Sequence, residues 1–352
     1  MTSRRSKLAR HLIAVVIAVV LGHVLLGSLS GRANAQSVED FYRGRSVKLT
    51  VAAAVAGGAD LYARVLAPHL GKHIPGHPSF IIQNTPGAAG LLVARQLQGS
   101  APGDGSVVTL LQRNNLLEPL LSERDVGFDP RKVIWLGSLN KDTYLIFSWH
   151  TVGVRTIEDA RKKELILGNT GGGNENVTFP LLLNQTIGTK FRLVRGYKGN
   201  GDLSIAIERG EIQGRAITLT TLRGDHPDWL SEKKVDIIVQ LALKRSPELP
   251  DIPSAIEFVN DEKDRRLYQL LFATLEAGRP FAVAQGTPPD RVAALRKAFA
   301  ELPQDREFLA DLRQRGGSVE YITGEDVEQL ISSIYATPRD VIDRARALVA
   351  EH

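Results

Sequence analysis

The apolar run Val47 to Ala54 reads as a strand, and Leu61, Val65, Leu66 and Leu70 then recur near helical spacing. Gly71 can end that helix, and Pro68 predicts an irregular last turn. Ser79 to Gln83 reads as a second strand, Gly90 to Leu97 opens a second helix, and Val107 to Gln112 follows the turn Pro102-Gly103-Asp104-Gly105 as a third strand. Strands alternating with helices across short links predict a mostly parallel sheet flanked by helices.

The pattern repeats in kind, without a repeat in sequence. Leu165 to Gly168 is a strand leading into Asn169-Thr170-Gly171-Gly172-Gly173-Asn174, after which Val177 to Ile187 is helical. Phe191 to Val194 leads into Arg195-Gly196-Tyr197-Lys198-Gly199-Asn200-Gly201, and the helix Leu203 to Arg209 is closed by Gly210. Ile212 to Ile217 and Val235 to Leu241 add strands, so a second α/β unit is expected. Pro280 to Ala284 is a short extended run. Helices are expected over 289–302, 305–315, 324–334 and 339–351, with a possible strand at Val319 to Ile322. This last part is expected to return to the first unit. The expected division is residues 36–138 plus 285–352 for one lobe and 139–284 for the other, with crossings near 136–144 and 274–284 forming a hinge.

The first 35 residues stand apart. Arg4, Arg5, Lys7 and Arg10 precede the apolar run Leu12 to Leu26, and Ala33-Asn34-Ala35 offers a small-x-small cleavage site, so an export signal cleaved near Ala35 is expected. That segment holds five basic residues and no acid, so the formal charge of +5 falls to zero on its removal. A basic balance is then no argument for nucleic acid, and no basic-aromatic stripe supports one. The chain has no cysteine, which excludes disulfides, thiolate metal sites and a thiol nucleophile.

Chemistry is sparse. No Gly-x-Gly-x-x-Gly fingerprint, P-loop or Gly-x-Ser-x-Gly elbow occurs, and no carboxylate pair stands out as acid and base. No catalytic residue, metal or cofactor is expected. His69, His73 and His77 fall four apart, but Gly71, Pro75 and Gly76 are expected to break a shared helix and leave surface histidines. What the chain does offer is four glycine-rich turns at strand ends, where ligands of open α/β sheets sit and where unpaired N–H groups favour an anion.

The candidate ligand-binding set is therefore Ala56, Gly57 and Gly58 of the first turn and Pro86, Gly87, Ala88, Ala89 and Gly90 of the second. Asp60 joins it, read chiefly as a cap of the helix start. Asn114 follows the third strand, beside Asn115. Thr170, Gly171, Gly172, Asn174, Tyr197, Lys198 and Arg215 come from the second lobe, where Arg195, Lys198 and Arg215 are the cations available for a second carboxylate.

At these turns the sequence resembles the extracytoplasmic solute receptors of tripartite tricarboxylate transporters, the TctC or Bug family. The likeness rests on Gly57-Gly58-Ala59-Asp60-Leu61-Tyr62-Ala63-Arg64, Asn84-Thr85-Pro86-Gly87-Ala88-Ala89-Gly90 and Ala101-Pro102-Gly103-Asp104-Gly105. Gly196-Tyr197, Glu208 to Gly214, Leu249-Pro250-Asp251-Ile252-Pro253 and Gly286-Thr287-Pro288-Pro289-Asp290-Arg291-Val292 carry it on, over essentially the whole chain after residue 35. The resemblance implies an α/β, type II-like, two-lobed periplasmic binding protein that closes on a small organic acid and presents it to membrane permease subunits, acting as a monomer. It also implies that main-chain N–H groups of residues 56–58 and 87–90 hold one carboxylate. The sequence departs from the family with Val55-Ala56 in the first turn and Gly173-Asn174-Glu175-Asn176 in the second lobe. Other readings of the same residues are an exported enzyme acting on a small anion and a binding lobe read by a signalling partner.

Overall fold

The computed structural model describes residues 36–55, 58–141, 143–170 and 175–350. The expected export signal and its cleavage point lie outside the described residues.

Two mixed sheets organise the chain. In the first, β1 (Ser46–Val51) lies between β2 (Ser79–Asn84) and β3 (Val107–Leu110), both parallel to it. Strand β4 (Val133–Ser138) also belongs to the first sheet, and the strands β5 (Tyr144–Trp149), β6 (Leu165–Gly168), β7 (Phe191–Val194), β8 (Gly214–Thr218) and β9 (Val235–Leu241) build the second in the order β7-β6-β8-β5-β9. The chain then returns through β10 (Pro280–Ala284) and β11 (Ile322–Thr323), giving the first sheet the order β11-β4-β10-β3-β1-β2. Because β10 is antiparallel to β3 and β4, and β11 to β4, four of the six strands run one way. In the second sheet only β5 opposes the rest, so four of five agree.

Sequence patterning placed most of these elements, and the structure differs at several points. Strands β4 and β5 were not assigned from the sequence; they flank the link between the sheets, the short stretch 139–143, which lies inside the expected crossing at 136–144. The other link is Gly278-Arg279, since β10 pairs into the first sheet. The expected boundary at 284 had left β10 with the second lobe. A 16-residue helix, Glu262–Ala277, was not anticipated.

The helix Gly58–His73 also runs through Pro68 and Gly71. Proline withholds one hydrogen bond from the Arg64 carbonyl, but Pro68 and Arg64 are both exposed, so water replaces the missing N–H at little cost.

One core spans both sheets. The Glu262–Ala277 helix sets Phe272 edge-on to Phe179, 4.9 Å between centroids, and joins Tyr268 to Thr186 through a 2.7 Å hydroxyl contact. The C-terminal helix Arg339–Ala350 packs against that helix and against Glu175–Ile187 of the second unit. It therefore bridges the lobes and does not belong to the first alone. Separate apolar clusters fill the outer faces, around Leu49, Leu66 and Phe281 in the first unit and Phe147, Ile217 and Trp229 in the second.

Candidate functional site

The carboxyl ends of β1, β2 and β3 lie along one edge of the first sheet, and a cleft of about 840 Å³ opens there against the second. Its first wall is the turn after β1. Gln112 Nε2 donates to the Ala52 carbonyl at 2.7 Å and Asn84 Nδ2 to the Ala53 carbonyl at 3.2 Å. These amides tie back oxygens that would otherwise repel an anion. Ala56 and Gly57 lie outside the described residues.

Gly58 begins the helix and lines the cleft, with the Arg279 guanidinium against it: a Cβ on Gly58 would come within 2.6 Å of Arg279 Nη2. The bare Gly58 backbone thus lets the guanidinium lie directly against the positive end of this helix, and a side chain here would push it aside. Arg279 also stacks on the Tyr62 ring, 4.3 Å from its centroid, and its backbone N–H donates to Ser138 Oγ at 3.0 Å. Asp60 lies in the first helical turn but is buried and accepts from Arg64 Nε at 2.9 Å. It does not line the cleft.

The second turn has a left-handed backbone throughout. Gly87, Ala88, Ala89 and Gly90 have φ of 131°, 46°, 50° and 89°. At Gly90 a side chain would collide with Asn115 Oδ1 and Gln112 Cγ, each 2.8 Å away. Two further amides, Asn114 Nδ2 at 3.2 Å and Asn115 Nδ2 at 3.0 Å, donate to the Ala89 carbonyl. Ala89 and Asn114 line the cleft, whereas Pro86, Gly87 and Ala88 are exposed and do not line it.

The second sheet contributes a different set from the one expected. Gly171, Gly172 and Asn174 lie outside the described residues, and Thr170 is half-buried beside them. Lys198 is exposed, its backbone N–H given to Asp202 at 3.2 Å, while Tyr197 packs on the outer core and burial raises its hydroxyl pKa. Neither these two nor Arg195 lines the cleft.

Arg215 is only 1% exposed, lies against Asn200 and does not line the cleft. Nη1 makes long contacts to the Asn200 side chain and carbonyl, 3.3 and 3.4 Å, and Nε and Nη2 have no hydrogen-bond partner among the described residues. Burial pushes its pKa down to about 10.

The cleft wall on this side is instead Tyr144, Thr218, Thr221 and Glu175. Glu175, opening the helix Glu175–Ile187, meets Arg113 from the end of β3 in a two-pronged pair, Nε–Oε1 2.6 Å and Nη2–Oε2 2.8 Å. The Arg113 guanidinium also sits 5.8 Å from the centre of the Tyr144 ring. Glu118, on the first side, has its carboxyl pKa raised by burial.

Arg113, Arg279, Glu118 and Glu175 were not singled out from the sequence. Arg113 carried one usable signal, its place at a strand end next to Asn114. Arg279 carried none of that kind, because β10 runs backwards and its first residues, not its last, reach the ligand edge. The histidines differ too: His69 is buried, and it shares one continuous helix with His73.

No family model matches the chain. The chain is 27% identical over 294 residues to the UPF0065 protein in the gbd 5′ region of Cupriavidus necator, covering 78% of this chain and 81% of that one. In structure it is similar to a TctC solute-binding protein from Polaromonas, with a TM-score of 0.65, 21% identity, and 86% of this chain and 99% of that one covered. It is likewise similar to a Rhodopseudomonas palustris protein solved with adipate, with a TM-score of 0.64, 20% identity and coverage of 86% and 97%. The fold is thus that of the two-lobed periplasmic binding proteins, in the form taken by TctC and Bug proteins.

Proposed function

We propose that this protein is a periplasmic receptor that captures a small organic carboxylate in the cleft and hands it to the permease subunits of a tripartite tricarboxylate-type transporter. Its working parts on this reading are a first lobe of 36–138 with the C-terminal region and a second lobe within 139–284, closing about the links at 139–143 and 278–279. It works as an exported monomer freed of its signal near Ala35, with no nucleic-acid partner, and it performs binding without chemistry.

The observation that carries the reading is the Arg279 guanidinium held at the N-terminus of the Gly58–His73 helix, beside turns whose carbonyls are tied back by Asn84, Gln112, Asn114 and Asn115. A cation, a helix start and turns whose Ala52, Ala53 and Ala89 carbonyls are already engaged suit an anion that must leave water. The Rhodopseudomonas palustris protein of the same fold was solved with adipate, a dicarboxylate, which supports extending the carboxylate class to this chain.

The test is a thermal-shift and calorimetric screen of mono-, di- and tricarboxylates. A true ligand at 100 times its Kd should stabilise the fold by about 2.7 kcal/mol. Arg279→Ala should abolish the shift while the unliganded melting point changes little. A shift given only by amines or neutral sugars, or kept in full by Arg279→Ala, would sink the proposal.

A further inference from the structure

The far end of the helix that begins at the cleft carries a second cluster of chemistry. His69 and His73 lie one turn apart on Gly58–His73 and face the start of the helix Arg306–Gln314 and the end of Pro289–Glu301. His69, only 4% exposed, has Nε2 2.9 Å from Asp311 Oδ2 and its ring edge-on to Phe308. Its other nitrogen, Nδ1, is buried without a hydrogen-bond partner and points at Asp305 Oδ2, 3.5 Å away. A carboxylate only accepts, so once the Nε2–H is given to Asp311, the Nδ1 lone pair faces another lone pair. That arrangement is repulsive unless a proton on Nδ1 or a metal ion lies between them.

The surroundings favour such a charge. Glu301, Asp305, Glu307 and Asp311 converge here, against Lys72, which binds Glu307 at 2.6 Å, and Lys297, 3.9 Å from Glu301. Donor atoms of His69, Asp305 and Glu307 all lie within 4.8 Å of one another. Asp305 is already oriented: Oδ1 caps the Arg306–Gln314 helix by accepting from Glu307 and Phe308 N–H groups, and Oδ2 is held by His73 Nε2 at 3.1 Å.

We propose that a divalent ion of the zinc class binds here through His69 Nδ1, Asp305 Oδ2 and the Glu307 carboxylate, with water completing a tetrahedron. Asp311 then acts on the ion through His69, fixing its tautomer as carboxylates commonly do for metal-bound imidazoles. One imidazole with two carboxylates suits a borderline ion and not calcium or magnesium, which prefer all-oxygen sites. Ligand-to-ligand distances of roughly 3.3 Å in such a tetrahedron, from bonds of about 2.0–2.1 Å, match the His69–Asp305 spacing and ask only Glu307 to swing inward. Glu307 is exposed and releases Lys72 in doing so. The ion would clamp the helix that starts at Gly58 to the C-terminal helices of the same unit.

The experiment uses the purified protein without a histidine tag, stripped with a chelator and titrated with ZnCl2 by calorimetry and with CoCl2 by visible absorption. One ion per chain is expected, with a rise in melting temperature and the absorption of tetrahedral cobalt. His69→Gln should abolish binding, and Asp305→Asn, which keeps a capping side chain, should weaken it at least tenfold. Asp311→Asn should weaken it by about 10–100-fold, the usual effect of losing an outer partner. Lys72→Ala should leave binding intact or strengthen it. Absence of binding to the wild-type protein, or equal binding by a His69→Gln protein whose metal-free melt shows it folded, overturns the proposal.

Discussion

Arg113 and Glu175 join the two sheets across the mouth of the cleft, with two hydrogen bonds of 2.6 and 2.8 Å between a guanidinium at the end of β3 and a carboxylate at the start of the helix Glu175–Ile187. The pair is partly buried, and the carboxylate stands where an anionic ligand would seek a cation. Glu175 is thereby an internal competitor. Glu175→Gln should tighten carboxylate binding by about tenfold, equivalent to about 1.4 kcal/mol, whereas Arg113→Ala should weaken it. Calorimetry on both variants decides: weaker binding by Glu175→Gln would show that the pair supports the bound state.

Ala89 is held at φ 50°, a conformation costing an L-residue roughly 1–2 kcal/mol. Ala89→Gly should relieve that cost, less the extra freedom glycine gains in the unfolded chain, for a net gain of about 0.5–1 kcal/mol. Ala89→Val should destabilise. Urea unfolding of the two variants measures the difference, and a loss of stability in Ala89→Gly would contradict the strained geometry.

Burial raises the Glu118 pKa. The sign follows from linkage: a carboxyl whose folded pKa lies above its unfolded value contributes stability that is fully present below the unfolded value and lost as pH rises through the folded one. Ionised Glu118 also repels an anion in the same cleft. Carboxylate affinity should therefore fall as pH climbs above the ordinary glutamate range, and Glu118→Gln should flatten that fall. A pH series of calorimetric titrations on both proteins tests it.

Arg215 is a buried cation with two donor groups lacking partners among the described residues. Burying a charge without full compensation is costly, and its depressed pKa, about 10, reports that cost. Arg215→Met should raise stability by about 1–3 kcal/mol, by analogy with buried charges replaced by apolar groups of similar volume. A drop in melting temperature would show that the guanidinium is better compensated than its contacts indicate.

Local pattern was enough for most of the architecture. Strands β1, β2, β3 and β6 to β10 each sit on an apolar run bounded by turn residues, and the glycine turn after β2 falls where the alternation placed it. Pro68 and Gly71 misled because helix-breaking residues cost little on an exposed face or where the helix is held by packing, and the sequence does not mark which face is outward. Strands β4 and β5 went unassigned, because the expected crossing at 136–144 overlaps the end of one and the start of the other and only five residues separate them.

The sequence by itself determined two α/β units, their glycine-rich turns and the absence of a thiol or nucleotide motif, since these depend on neighbours a few residues apart. Which side chains meet in the cleft was decided by tertiary structure. Arg279 arrives on a strand running against its neighbours, and Arg113 and Glu175 are 62 residues apart and come from different sheets. His69 meets Asp305 and Asp311 only because two helices from opposite ends of the chain pack together. Periodicity fixes the face on which a residue lies, and only the order and direction of the strands fixes what that face confronts.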